Sequence, residues 1–214
     1  MLSAKEVMQI SPIIPVLAIK DASKAVDIAL ALQEGGINIM EITLRSEEAV
    51  EAIAKVAQGL PSMVVGAGTV VNKKQFKAVK DAGAKFIISP GSTSSLLEYS
   101  QDMGIAFIPG VASASDIMLA MEYGLDAFKL FPANIVGSQK ALKSFSGPFP
   151  DISFCPTGGV RLNNMNDYLC LDNVLCVGGT WVCPSELIDA NDFQGITDLC
   201  KKAISSFVRS DHES

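Results

Sequence analysis

Asp81-Ala82-Gly83-Ala84-Lys85-Phe86-Ile87-Ile88-Ser89-Pro90-Gly91 is the stretch on which the fold turns. An acidic residue, a spacer and Gly83 fit a helix that ends on a glycine cap. Residues 85–88 then read as a short buried strand, and Ser89-Pro90-Gly91 stops it. The same helix ending recurs at Glu34-Gly35-Gly36-Ile37, Asp102-Met103-Gly104-Ile105 and Glu122-Tyr123-Gly124-Leu125. A glycine cap feeding an apolar run is therefore a repeated unit of this chain.

Outward from these units, strands are predicted near 13–19, 38–42, 63–66, 85–88, 105–108, 126–131, 152–156 and 173–177, about every 20 to 25 residues, the spacing of strand-plus-helix units. Helical patterns lie between them. Asp21 or Ser23 can cap 22–35, Ser46 with Glu47 and Glu48 opens 46–58, Asn72 opens 73–82, and Thr93 or Ser94 opens 95–103. Eight units with no linker-like stretch predict one α/β domain over 1–214: a (β/α)8 TIM barrel with an N-terminal helical extension and a core at about 13–207. A doubly wound open sheet is the runner-up. It wants a glycine-rich nucleotide loop after the first strand, and Ile19-Lys20-Asp21-Ala22 is not one.

At 214 residues and 49% hydrophobic composition the chain can fill one sizeable core. Its mean hydropathy of +0.32 suits a parallel sheet buried on both faces. No apolar run is long enough to cross a bilayer, and the charged start Met1-Leu2-Ser3-Ala4-Lys5-Glu6 does not resemble a signal peptide. A cytoplasmic protein is expected, with no membrane partner. The net charge of -6 argues against a nucleic-acid partner, so an anionic substrate must be held by local groups. Cys155, Cys170, Cys176, Cys183 and Cys200 are odd in number and form no C-x-x-C pair, as expected of free thiols in a reducing compartment. The single histidine, His212, sits in a polar tail that is expected to fray. Ser-His-Asp or Cys-His catalysis and a metal site built on several histidines are therefore not expected; neither metal nor cofactor is. Acid and base chemistry falls to carboxylates, lysine or tyrosine.

Reacting groups of such a barrel gather at the C-terminal ends of its strands. Lys129 lies in the apolar run Phe128-Lys129-Leu130-Phe131-Pro132 and shares a strand face with Ala127 and Phe131. A lysine buried there either finds a carboxylate or gives up its proton, and a neutral amine attacks carbonyls. It can also be a strand-end lysine that snorkels to water. Glu41 shares parity with Ile39 and Thr43, so its carboxylate points inward if Met40 and Ile42 face the helices. A purely structural ion pair is the alternative reading. Gly158-Gly159 and Gly178-Gly179 follow the last two predicted strands; their backbone N–H groups, with the following helix N-termini, fit a phosphate cradle. Arg45 can clamp a carboxylate or phosphate.

With these motifs in view, the chain resembles the 2-keto-3-deoxy-6-phosphogluconate (KDPG) aldolases, which often also act on 4-hydroxy-2-oxoglutarate (KHG). The resemblance runs from about Ile13 to Phe207. It is carried by Glu41-Ile42-Thr43-Leu44-Arg45, Gly66-Ala67-Gly68-Thr69-Val70, Ser89-Pro90-Gly91, Phe128-Lys129-Leu130-Phe131-Pro132-Ala133, Cys155-Pro156-Thr157-Gly158-Gly159-Val160 and Val177-Gly178-Gly179-Thr180-Trp181. It implies a class I aldolase that cleaves KDPG to pyruvate and glyceraldehyde 3-phosphate without a cofactor, commonly as a homotrimer. By resemblance Lys129 is the Schiff-base lysine and Glu41 the general base, while Arg45 and Thr69 hold the substrate carboxylate. Pro90 and Phe131 wall the pyruvyl unit, Thr157 senses the hydroxyl configuration, and Gly158, Gly159, Gly178, Gly179 and Thr180 bind phosphate. Thr180 departs from the serine expected in the best-known members, and Arg161 is a second departure.

Three alternatives stay open at this point. The aldolase for the galactonate-derived epimer would be expected to have an apolar residue at Thr157 and asparagine at Arg45. A noncovalent sugar-phosphate isomerase or epimerase would use the phosphate site and leave Lys129 free. A non-catalytic barrel would bind ligand without turnover.

Overall fold

The computed structural model describes residues 2–207. Met1 and the tail with His212 lie outside the described residues. Among these residues the chain forms strands β1 (Ile13–Leu17), β2 (Ile39–Thr43), β3 (Val64–Gly68), β4 (Phe86–Ile88), β5 (Ala106–Ile108), β6 (Gly110–Val111), β7 (Ala127–Leu130), β8 (Ser153–Pro156) and β9 (Val177–Gly179). The α-helices are α1 (Ala4–Gln9), α2 (Ala25–Glu34), α3 (Ala49–Gly59), α4 (Lys73–Asp81), α5 (Ser94–Gln101), α6 (Ala114–Met121), α7 (Ser138–Ser146), α8 (Met165–Leu169), α9 (Ser185–Asp189) and α10 (Phe193–Ser205). No helix of the described residues is long and apolar enough to cross a membrane.

The repeated glycine ending has the predicted cause. Gly36, Gly83, Gly104 and Gly124 adopt φ of 89°, 96°, 58° and 71°, the left-handed region that only glycine enters freely. At three of them the next residue's N–H reaches back across the helix end, from Ile37 to Leu32 O (2.9 Å), Ala84 to Val79 O (3.1 Å) and Leu125 to Ala120 O (3.3 Å). Each cap thus satisfies orphan carbonyls and turns the chain into the next strand. Asn72 and Thr93 cap α4 and α5 as expected, accepting from the N–H groups of Gln75 and Leu96. Ser46 does not cap a helix. Its hydroxyl is committed to Ile19 O, and α3 starts only at Ala49.

Every strand pairing is parallel. A six-stranded sheet runs in the order β5-β4-β3-β2-β1-β9, and a three-stranded sheet runs β6-β7-β8. The six-stranded sheet curls into half a barrel. At one seam only Pro109 separates β5 from β6, and its carbonyl accepts the N–H of Lys129 (3.0 Å). At the other seam single parallel bridges join Phe154 to Val174 and Thr157 to Gly178. The predicted ring of eight strands thus takes the form of two sheets. Pro109 has no N–H to give to a ladder and so divides the fifth strand. The last predicted strand also lies further on than 173–177. The N–H of Val174 is spent on a turn to Leu171 O (2.9 Å), so regular pairing begins at Val177.

Side chains on alternate strand faces have separate fates. Met40 and Ile42 of β2 are fully buried apolar residues, and fully buried Ile28, Leu32, Ile53, Val56, Phe76 and Val79 come from α2, α3 and α4. Burial stabilises such side chains by about 1.5–3 kcal/mol each. On the other face, beyond Val64, β3 carries glycine at Gly66 and Gly68. A Cβ at Gly66 would overlap the Phe86 ring, and one at Gly68 would overlap Glu41 Oε1. The interior thus has room for a carboxylate because one strand gives up its side chains there.

Candidate active site

β2 and β7 place the central pair. Val16 of β1 pairs with Glu41, Glu41 with Gly66, and Gly110 with Lys129. Lys129 Nζ donates to Glu41 Oε1 at 3.2 Å, with the two residues only 5% and 1% exposed. The ammonium also lies over the Phe131 ring, 5.3 Å from its centroid. Burial removes water from both charges, so each depends on the other and on the ring to replace it.

A cavity of about 360 Å³ opens over this pair. Lys129, Glu41, Arg45, Thr69, Pro90, Phe131, Thr157, Gly158, Gly159, Gly178, Gly179 and Thr180, the residues singled out in the sequence, all line it. Val16, Thr43 and Val160 line it too and were missed. Thr43 was legible, since it shares a strand face with Glu41. Its hydroxyl donates to Leu17 O (2.7 Å) and accepts from Arg45 Nε (3.0 Å), which fixes the guanidinium at the cavity wall. Thr69 stands at φ 60°, an outlier for a β-branched residue, and such strain collects at functional sites.

The glycine pairs open onto the same cavity. Gly158 and Gly159 have φ of 104° and 73°, which side-chain-bearing residues rarely adopt. A Cβ at Gly178 would overlap Thr157 Oγ1, and one at Gly179 would overlap the Trp181 ring. The helices that follow do not start where the sequence predicts. α8 and α9 are five residues each and begin only at Met165 and Ser185, because turns at 162–164 and 180–183 intervene. Any anion at the glycines would therefore meet the N–H groups of the turns, not a helix end.

Cys176 is fully buried; burial first, then the neighbouring Cys155 thiol, push its pKa well above the ordinary 9.0. Cys155 itself pairs in register with Lys129. These thiols fill the interior as small apolar groups.

A family model described as KDPG and KHG aldolase matches residues 4–199. The chain belongs to that family. It is 47% identical over 203 residues to the 2-dehydro-3-deoxy-phosphogluconate aldolase of Pseudoalteromonas atlantica, covering 95% of this chain and 94% of that one. It is 45% identical over 202 residues to the KHG/KDPG aldolase of Escherichia coli K12, covering 94% and 95%. The crystal structure of KDPG aldolase from Legionella pneumophila, with pyruvate captured at low pH as a covalent carbinolamine intermediate, superposes with a TM-score of 0.93. That protein is 44% identical, with 95% and 98% of the two chains covered. Membership of the KDPG and KHG aldolase family agrees with a cavity that joins one buried lysine and one carboxylate to two glycine turns.

Proposed function

We propose that the protein is a class I aldolase that cleaves KDPG to pyruvate and glyceraldehyde 3-phosphate, and KHG to pyruvate and glyoxylate. The observation that carries this reading is the buried Lys129–Glu41 contact at 3.2 Å beneath a cavity lined by Arg45 and the glycine turns. At that distance Glu41 can take the ammonium proton and free the amine. The Lys129 nitrogen then adds to the keto carbon, and Glu41 returns its proton to the departing hydroxyl, so that loss of water leaves a protonated imine and an ionised Glu41. Glu41 takes the proton of the C4 hydroxyl as the C3–C4 bond breaks. The bond's electrons flow into the imine, leaving an enamine, and the aldehyde departs. Protonation of the enamine at C3 and hydrolysis of the imine release pyruvate and the free lysine.

The other residues bind and orient. Arg45, held by Thr43, and Thr69 take the substrate carboxylate. Pro90 and Phe131 wall the pyruvyl unit, and the Phe131 ring faces the cationic nitrogen. Thr157 meets the hydroxyl at the cleaved bond, and Gly158, Gly159, Gly178, Gly179 and Thr180 take the phosphate. The covalent pyruvate adduct of the Legionella pneumophila relative supports the imine route. Thr157 and Arg45 favour the gluconate-derived substrate over its galactonate epimer.

The coarser features of the molecule fit the same reading. The single bridges at one seam and the Pro109 link at the other support the reading of the two sheets as one closed (β/α)8 barrel, with α1 as its N-terminal extension. Lys5 of α1 pairs with Asp126 (2.8 Å) and donates to Asp151 O (2.9 Å), just ahead of β7 and β8. Five free thiols suit the reducing cytoplasm. The exposed Met118 and Met121 of α6 offer apolar surface for a homotrimer.

Borohydride reduction in the presence of pyruvate, followed by peptide mapping, tests the central step. The expected result is a stable adduct on Lys129 that is absent in Lys129→Ala. No adduct under excess pyruvate, or substantial cleavage by Lys129→Ala, refutes the covalent route.

A further inference from the structure

We propose that Asn164 is the positioning residue of the phosphate turn, holding the Gly159–Val160 peptide so that its N–H is aimed into the cavity. An asparagine just before a helix ordinarily turns its side chain forward to cap the helix N–H groups. Asn164 precedes α8 and makes no such bond. Its carboxamide points backward: Nδ2 donates to Gly159 O (3.0 Å), and Oδ1 accepts from Arg161 N–H (2.7 Å). The orientation of the amide follows from its neighbours, since only the nitrogen can give to a carbonyl and only the oxygen can accept from an N–H.

The direction of each peptide decides what faces the cavity. In a trans peptide the C=O and the following N–H point opposite ways. Gly158 O is taken by the N–H of Asn134 (3.2 Å), from the loop after β7, and Gly159 O is taken by Asn164. Both carbonyls are thereby drawn to the protein side, and the N–H groups of Gly159 and Val160 are turned the other way. Neither N–H has a backbone acceptor among the described residues, and both residues line the cavity. Asn134 stands close against the turn, since a Cβ added at Gly159 would fall 2.6 Å from its side chain. Asn164 is the side chain that completes the clamp. Without it the Gly159–Val160 peptide, in a glycine at φ 73°, is free to rotate and to present its carbonyl to an anion.

This assignment rests on the reading of the glycine turns as a phosphate site. Two variants and two readouts test it. Asn164→Ala removes both bonds. Asn164→Asp keeps the acceptor for Arg161 N–H but sets an oxygen against Gly159 O. Titration of inorganic phosphate, followed by 31P line width, should show Kd raised about tenfold in Asn164→Ala and further in Asn164→Asp, the scale of one lost orienting hydrogen bond. With substrates, the ratio of kcat/KM on KDPG to kcat/KM on the unphosphorylated KHG should fall by a similar factor, chiefly through KM. General damage to the fold lowers both activities and leaves the ratio unchanged; that result overturns the assignment, as does wild-type phosphate affinity in both variants. If the wild type binds phosphate but cleaves neither substrate, the aldolase reading fails, and the phosphate titration alone then decides the role of Asn164.

Discussion

Gly68→Ala adds one methyl group, and its cost can be worked from the packing around Glu41. Gly68 has no positive φ, so alanine fits the backbone; the three nearest atoms its Cβ would meet all belong to Glu41. The new Cβ overlaps Oε1 and falls 2.6 Å from Cδ and 2.7 Å from Cγ of Glu41. Carbon atoms pack at about 3.5–4.0 Å, so the carboxyl carbon must retreat by about 1 Å. The Lys129–Glu41 contact is already at 3.2 Å, so a shift of that size disturbs its hydrogen-bond geometry. A misplacement of about 1 Å costs about 10²-fold in rate, and complete loss of general acid–base help about 10²- to 10⁴-fold. Turnover of KDPG, followed by reduction of the released pyruvate, should therefore fall at least about 10²-fold. Overpacking should also lower stability by about 1–3 kcal/mol, read as a lower urea midpoint. Trapping of pyruvate on Lys129 should survive, since the amine itself is untouched. Turnover within threefold of the wild type would mean that the carboxylate has slack the packing does not show, and would refute the reasoning.

Glu41→Gln keeps the shape of the side chain and removes the base. It should slow turnover about 10²- to 10⁴-fold while slowing imine trapping less, and equal loss in both would break the assignment of roles. The buried thiols make a prediction for alkaline pH. Burial raises the Cys200 thiol from 9.0 to about 12, and Cys183 is raised too, by burial first and then by Cys200. Above about pH 9 the unfolded chain gives up thiol protons that the folded chain keeps, so the unfolded state binds fewer protons and stability falls as pH rises towards 12. The slope is at most about 1.4 kcal/mol per pH unit for each thiol. The urea midpoint should drop between pH 8 and pH 10, and drop less in Cys200→Ala; an identical drop in that variant would remove the thiols as the cause.

Much of this structure is legible in the sequence because its signals are local. A glycine forced into the left-handed region leaves a mark at each helix end, and alternation along 38–42 puts Glu41 and Thr43 on one face. The lysine stands out because a charge in an apolar run needs a reason. What stayed hidden depends on residues far apart in the chain. The break at Pro109 shows only when the neighbouring strand presents Lys129 N–H to it. The late start of β9 follows from a turn that consumes the Val174 N–H, which apolar character alone does not reveal. Gly178-Gly179 reads as a loop by strand propensity. It is a strand because it pairs with Ile14 and Pro15 of β1, and it is glycine because Thr157 and Trp181 occupy the space its side chains would need. The backward bonds of Asn164 are invisible for the same reason, since an asparagine before a helix carries one expected role and here performs another.

Glu41 belongs to the six-stranded sheet and Lys129 to the three-stranded one, so their contact spans the boundary between the two. Sheets joined by single bridges and one proline peptide are natural units of partial opening, whereas the ladders within each sheet hold together longer. Any parting along that boundary separates base from amine before a helix or a strand is lost. Warming should therefore silence the enzyme ahead of its circular dichroism, and a ligand bonded to both sheets at once would act as a rivet across the gap.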